Sequence, residues 1–452
     1  MRAVYLIPIL AAACQGPRSL TDMTGVPPQA ERVVSSIEAV RLRKFVDDLA
    51  GFGTRHTFSR TDSDTAGIGA ARRYLLAQFE SFGGRLESEL ESFTLEPGRR
   101  IPEAVELKNV VAVLPGTMPE AAGRRYYVLG HYDSRASNGS DGESLAPGAN
   151  DDASGVALVL ELARVLADEE LEATIVFLAT AGEEQGLYGA RYHVEQAVLA
   201  GHDIRAALSN DCVGDPSGPA DASGQPRHDA GRVRVFSEGI RADADERANS
   251  QLRRMSGEND SPSRQIARML TGVAQAHALD VRPMLIQRPD RFLRGGDHSA
   301  FNENGIAAVR FTEVYEDYNR QHQDVRVEDG AQFGDLAEYV DAEYLAGVTR
   351  LNGAALVHLA NAPSPPPRAR MITATLANDT TLRWDASPEP DVAGYEVIVR
   401  ETTSPMWQKV HDVGNVLEAT IDLSKDNWFF GLRAYDHDGY RSPVVFPGTG
   451  RE

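Results

Sequence analysis

Between residues 107 and 311, short strand-like apolar runs alternate with stretches of helical period, and few architectures accept that order. The apolar runs fall at 107–114, 126–130, 174–180, 206–208, 282–286 and 307–311. Helical spacing covers 37–49, 70–82, 156–166, 263–277 and 336–359. Strands separated by helices of this length pair mostly in parallel. The predicted fold class is therefore α/β, with a mostly parallel central sheet and helices on both faces. Residues 214–260 are polar and irregular apart from the strand-like 233–236, and read as a long surface excursion. A chain of 452 residues exceeds one ordinary core, so a second folded unit is expected.

That second unit follows a composition break at Ala362-Pro363-Ser364-Pro365-Pro366-Pro367, a stiff linker over 362–368. Beyond it the helical period gives way to alternating runs such as Thr381-Leu382-Arg383-Trp384 and Gly394-Tyr395-Glu396-Val397-Ile398-Val399. They predict a β-sandwich over 369–448. It resembles fibronectin type III, with Trp384 and Tyr395 at that family's core aromatic positions. A spacer or adhesion role is the expectation. At the other end, Arg2 precedes an apolar run over 4–13, and Ala11-Ala12-Ala13 lead into Cys14, so 1–14 reads as a signal peptide. The run is too short to cross a membrane as a helix, which takes roughly 20 apolar residues. Cys14 resembles the acylated cysteine of a bacterial lipobox, although Leu10 stands one place further from it than that pattern has. The chain is expected to be exported: periplasmic or anchored to the outer membrane through lipid on Cys14, or secreted, with a tether over 15–35. Its formal charge of -20 argues against nucleic acid as a partner. The other cysteine, Cys212, is then left with no disulfide partner.

Chemistry-bearing residues gather where the strands end. The run 126–130 leads into His131-Tyr132-Asp133, which puts an imidazole and a carboxylate on one side of the chain. Asn150-Asp151-Asp152-Ala153-Ser154-Gly155 precedes a helix. One of its aspartates can cap that helix, whereas a cation would account for both. The run 174–180 leads into Glu183-Glu184, Asn210-Asp211 follows the next strand, and His322-Gln323-Asp324 comes later. Open α/β sheets place their sites at such strand ends. Imidazole plus carboxylate suits zinc, with cobalt or manganese as substitutes.

Taken together, H-x-D, N-D-D-A-S-G, E-E, N-D and a late histidine resemble the motif series of the bacterial two-zinc aminopeptidases, over roughly residues 37–361. The resemblance implies the zinc-peptidase fold over 36–361 and two zinc ions held by His131, Asp151, Glu184, Asp211 and His322. His131 and Asp211 would hold one ion, Glu184 and His322 the other. Asp151 would bridge both, joined to Asp152 by a cis peptide. It also implies Glu183 as the general base and Asp133 as the partner of the His131 ring. Gly295-Gly296-Asp297-His298 resembles a further family motif, with His298 lining the substrate pocket. The implied activity is removal of N-terminal amino acids from peptide substrates, with membrane contact only through the lipid anchor. Carboxypeptidases and glutaminyl cyclase-like acyltransferases use a similar scaffold, and a non-catalytic surface binding protein is the alternative from another class.

Overall fold

The computed structural model describes residues 18–19, 26–374 and 376–450; the expected signal segment with Cys14 lies outside them. Eight strands form the central sheet: β1 (Glu87–Leu95), β2 (Val105–Leu114), β3 (Arg124–His131), β4 (Thr174–Thr180), β5 (Asp203–Asn210), β6 (Arg232–Ser237), β7 (Arg282–Ile286) and β8 (Ala308–Glu313). Their order across the sheet is β7-β6-β8-β5-β3-β4-β2-β1. The centre is parallel from β8 through β5 and β3 to β4. Antiparallel pairs flank it, β6 on β8 at one side and β2 on β4 at the other.

Alternation along the strands builds the layers. Tyr126, Val128, Ile175 and Phe177 face one side, under α4 (Ala153–Leu166) and α10 (Ala342–Asn361). Tyr127, Leu129, Val176 and Leu178 face the other, under α6 (Tyr188–Leu199) and α9 (His298–Glu303). Such strands are apolar on both faces, which is why they read as unbroken hydrophobic runs. Helix α4 is buried over nearly its whole length and crosses behind the middle of the sheet. Its start is set by Asp152, whose side chain accepts the Gly155 N–H at 2.8 Å.

Two expectations need correction. The stretch 15–35 is not a free tether, because Pro28–Ser35 is a helix, α1, that buries Ala30 and Val33 and packs on α10. Arg18–Ser19 pairs with Lys409 and Val410. The excursion 214–260 contains β6, which sits inside the central sheet with Val233, Val235 and Phe236 buried. The strand-like 233–236 is thus part of the core rather than of a surface excursion, a placement that its polar flanks gave no sign of.

Beyond α10 lie two four-stranded sheets. One contains β11 (Val392–Glu401), β12 (Lys409–Gly414) and β14 (Trp428–Asp436), edged by Arg18–Ser19; the other contains β9 (Arg370–Ile372), β10 (Thr380–Arg383), β13 (Glu418–Ile421) and β15 (Gly448–Gly450). Leu382, Trp384, Tyr395, Val397 and Phe430 form their shared core. The segment joining them to α10 is pinned: Ser364 Oγ donates to Glu389 at 2.7 Å and Ser387 Oγ to the Ser364 carbonyl at 2.8 Å. Across the seam, buried Asp260 pairs with Arg268 of α8 (Pro262–Ala276) at 2.8 Å and with Arg400 of β11 at 2.5 Å. Among the described residues no helix is long and apolar enough to cross a membrane.

Candidate metal centre

Strands β5, β3 and β4 lie side by side and end at the same edge of the sheet. His131 closes β3, Asp211 follows β5, and Glu183 and Glu184 open the short helix after β4. The loop from β3 to α4 brings Asp151 over this edge. Close approach there depends on Gly155, where a Cβ would stand 2.3 Å from the Asn210 carbonyl oxygen. His322 arrives from a loop more than a hundred residues later in the chain.

The result is two ligand groups that share one carboxylate. Donor atoms of His131, Asp151 and Asp211 lie within 4.8 Å of one another, as do those of Asp151, Glu184 and His322. Asp151 stands between the two histidines, Oδ1 at 3.1 Å from His131 Nε2 and Oδ2 at 3.0 Å from His322 Nε2. Glu184 Oε1 is 2.9 Å from His322 Nε2. The Asp151–Asp152 peptide is cis, and the paired aspartates divide their work: Asp151 faces the histidines, while Asp152 caps α4 and accepts the His131 N–H at 3.0 Å. Backbone in the left-handed region clusters here too, at Leu187, Cys212 and His322, as functional sites tend to show.

The donors fit a pair of divalent transition ions. They are nitrogen and oxygen only. Asp211 Oδ1 is buried and accepts no hydrogen bond, so it has a lone pair free for a cation. The buried Cys212 thiol belongs to neither ligand group, and its sulfur receives the Gln321 amide at 3.3 Å.

Electrostatics follow from this crowding. Burial works against a charged His322, yet Glu184 and Asp151 push it up to about 10. Burial likewise opposes charge on His131, and Glu183, Asp133 and Asp151 raise it well above 6.5. The Glu183 carboxyl is held well above 4.5, chiefly by burial, with Asp211, Glu184 and Asp297 adding repulsion against the pull of His131. It faces the cleft, and among the described residues its carboxylate makes no hydrogen bond or ion pair. The cleft measures about 490 Å³ and is lined by Asp151, Glu183, Glu184, Asp211, His322 and several arginines.

Two expected roles shift. The Asp133 carboxylate accepts the Glu183 and Glu184 N–H groups at 3.1 and 3.2 Å, and it is the Asp133 backbone carbonyl that lies 3.1 Å from His131 Nδ1; the carboxylate is 3.7 Å away. It thus positions the glutamates as well as the ring. His298 does not line the cleft. Its ring is buried and turned toward the Pro289 carbonyl at 2.9 Å, because α9 begins at this residue and faces the sheet.

Several supporting residues escape sequence reasoning. Arg310 Nη2 sits 2.8 Å from Asp211, and Asp335 accepts the Asn150 and Asp151 N–H groups at 2.9 and 2.7 Å. Gln321 donates to Asp151 at 2.8 Å. For Arg310 a signal exists: a charge in the middle of the apolar strand Ala308–Glu313 needs a buried partner. Asp335 and Gln321 stand in polar loops that give none.

An open α/β sheet whose strand ends carry two imidazole–carboxylate groups with a shared aspartate defines a metal-dependent hydrolase type of centre. The comparisons agree. The model of peptidase family M28 matches residues 109–341. A probable zinc metalloprotease of Leptosphaeria maculans is 40% identical over 93% of this chain and 97% of its own, and one from Pyricularia oryzae is 41% identical over 93% of this chain and 84% of its own. The chain belongs to peptidase family M28. These relatives are fungal, so the bacterial character expected above draws no support from them. Among solved structures, the LapA aminopeptidase of Legionella pneumophila shares the fold with a TM-score of 0.51 at 18% identity, over 74% of this chain and 75% of its own. LapB from the same organism has a TM-score of 0.51, also at 18% identity, over 73% and 74%.

Proposed function

We propose that the chain is a two-zinc aminopeptidase that releases N-terminal residues from peptides. The observation that carries a two-ion hydrolase is Asp151 held between His131 and His322, in a cleft shared with Glu183, whose carboxylate makes no hydrogen bond or ion pair among the described residues. The motif series and the aminopeptidase sharing the fold support the exopeptidase part.

Zinc bound by these five residues would polarise the scissile carbonyl and lower the pKa of water toward 7. The chain's own residues do the rest. Glu183, raised in pKa and facing the cleft, takes a proton from the attacking water and passes it to the leaving amine. Asp133 holds the backbone of both glutamates, so that one carboxylate faces the ligands and the other stays free. Arg310 fixes the orientation of Asp211, and Asp335 clamps the backbone of Asp151.

One observation favours a second reading. Arg100 and Arg135 line the cleft, and among the described residues neither pairs with a carboxylate. They suit a substrate carboxylate, either an acidic side chain or the C-terminal group a carboxypeptidase would grip. Aminoacyl-anilides, N-blocked peptides and C-terminally amidated peptides distinguish the two. The aminopeptidase reading expects cleavage of free-amine substrates alone, abolished by chelator and restored by zinc. Equal cleavage of N-blocked peptides, with release from their C-termini, would overturn it.

A further inference from the structure

Far from the zinc ligands, where the loop entering β4 meets the β-sandwich, three more carboxylates converge. Glu172 stands just before β4, Asp391 just before β11, and Asp436 at the end of β14. Val392 and Asp436 are partners in the β11–β14 register, which sets the two aspartates side by side. One carboxylate oxygen from each of Glu172, Asp391 and Asp436 lies within 4.8 Å of the others.

These groups are short of partners. Asp436 is only 3% exposed. Its Oδ1 accepts the Tyr440 N–H at 2.8 Å, and its Oδ2 is buried without a hydrogen bond. Glu172 Oε2 and Asp391 Oδ1 are buried and unbonded in the same way. The nearby positive charge falls short. Arg124 faces the group, but its Nη1 is committed to the Ala362 carbonyl at 2.8 Å and Glu389 at 3.5 Å, and its Nε and Nη2 bond to nothing. One guanidinium therefore stands against four carboxylates, those of Glu172, Glu389, Asp391 and Asp436. Uncompensated buried charge of this kind is costly unless it is paired or coordinates a metal.

We propose that Glu172, Asp391 and Asp436 form a calcium site that ties the β-sandwich to the peptidase domain. The donors are carboxylate oxygens alone, with no imidazole or thiol, which selects a hard cation over zinc. Calcium accepts six to eight oxygens in flexible geometry, so backbone carbonyls and water can complete the shell on the half-exposed Glu172 side. Glu172 belongs to the peptidase domain, and its N–H is anchored by Asn361 at 3.1 Å; the two aspartates belong to the sandwich. A cation there would bind only when the two units are docked, and would therefore stabilise the docked state.

The rival is that the carboxyls keep protons instead. Burial and the neighbouring acids push Glu172 up to about 8 and, with Asp391 and Asp438 repelling it, Asp436 to about 6. The test uses the full chain dialysed into calcium-free, zinc-containing buffer and titrated with calcium chloride, followed by calorimetry and thermal unfolding. The expected result is one calcium per chain, with a Kd in or below the roughly 10⁻⁴–10⁻³ M range of extracellular modules, and a Tm that rises and then saturates. The double variant Asp391→Asn, Asp436→Asn, which keeps shape and removes charge, is expected to bind calcium at least tenfold more weakly and to lose the Tm response. No saturable uptake by the unaltered chain up to roughly 10 mM, above the weakest extracellular sites, overturns the proposal. Undiminished uptake by the double variant does the same. Neither readout depends on peptidase activity.

Discussion

Glu183 and Asp151 line the same cleft and should fail in different ways. Removing a general base typically costs about 10²–10⁴-fold in rate, so Glu183→Ala is expected to keep its zinc and lose turnover on that scale. Asp151→Ala removes a donor from both ligand groups and should lose metal as well. Zinc content measured alongside kcat checks the division, and equal zinc loss in both variants would refute it. Protons give a second prediction. Without metal, His322 is raised to about 10 and so carries a proton at pH 7, and His131 is shifted in the same direction. Ligation needs neutral imidazole. Zinc binding should therefore release protons, and affinity should fall as the pH is lowered; calorimetry in buffers of different ionisation enthalpy reads the proton count. The sign for the metal-free fold is opposite. A raised histidine contributes stability in full below its ordinary 6.5, and loses it as pH climbs through about 10.

At the scale of elements, the site exists because α4 starts hard against the ends of β3 and β5. A Cβ at Gly155 would stand 2.3 Å from the Asn210 carbonyl and 2.5 Å from the Asp152 carboxylate. Gly155→Ala must then push the helix start outward, at about 1–3 kcal/mol for overpacking. It should also weaken zinc binding, because Asp151 moves with that helix. Denaturant unfolding with and without zinc measures both effects, and a variant with unchanged affinity would show that the approach is not what places Asp151. Arg310 belongs at this scale too, since β8 delivers it between Asp211 and Asp290 at 2.8 and 3.1 Å. Truncating it strips the guanidinium from buried Asp211 and leaves Asp290 with the Arg291 guanidinium alone, a loss of about 3–5 kcal/mol by analogy with other broken buried pairs.

Across the whole molecule, the β-sandwich is bound into the structure rather than hung on a spacer. Asp260 links Arg268 to Arg400, the Trp407 Nε1–H donates to Gln265 at 2.9 Å, and Arg124 holds the Ala362 carbonyl. Arg400→Ala breaks a buried pair across this seam and should cost about 3–5 kcal/mol. Scanning calorimetry is expected to show one transition for the unaltered chain and two for the variant. Two transitions in both would mean that the units unfold independently.

Much of this was open to a reader of the sequence, for a definite reason. The strands at 107–114, 126–130 and 174–180 are apolar on both faces, so they stand out as runs, and the polar residues that follow them mark the sheet edge. His131, Asp151, Glu184 and Asp211 each adjoin such a run or the helix after it, so local order alone drew attention to them. What local order does not carry is direction and distance. It could not show that the His298 ring turns into the core, that 232–237 joins the sheet, or that 28–35 packs as a helix on α10. Nor could it bring Arg310, Gln321 and Asp335 to the ligands, or Glu172 to Asp391 and Asp436. Those meetings join residues that lie far apart in the chain. They arise only when helices pack on the sheet and one unit docks on the other, because burial and close packing, not neighbourhood in sequence, decide which polar groups must satisfy one another.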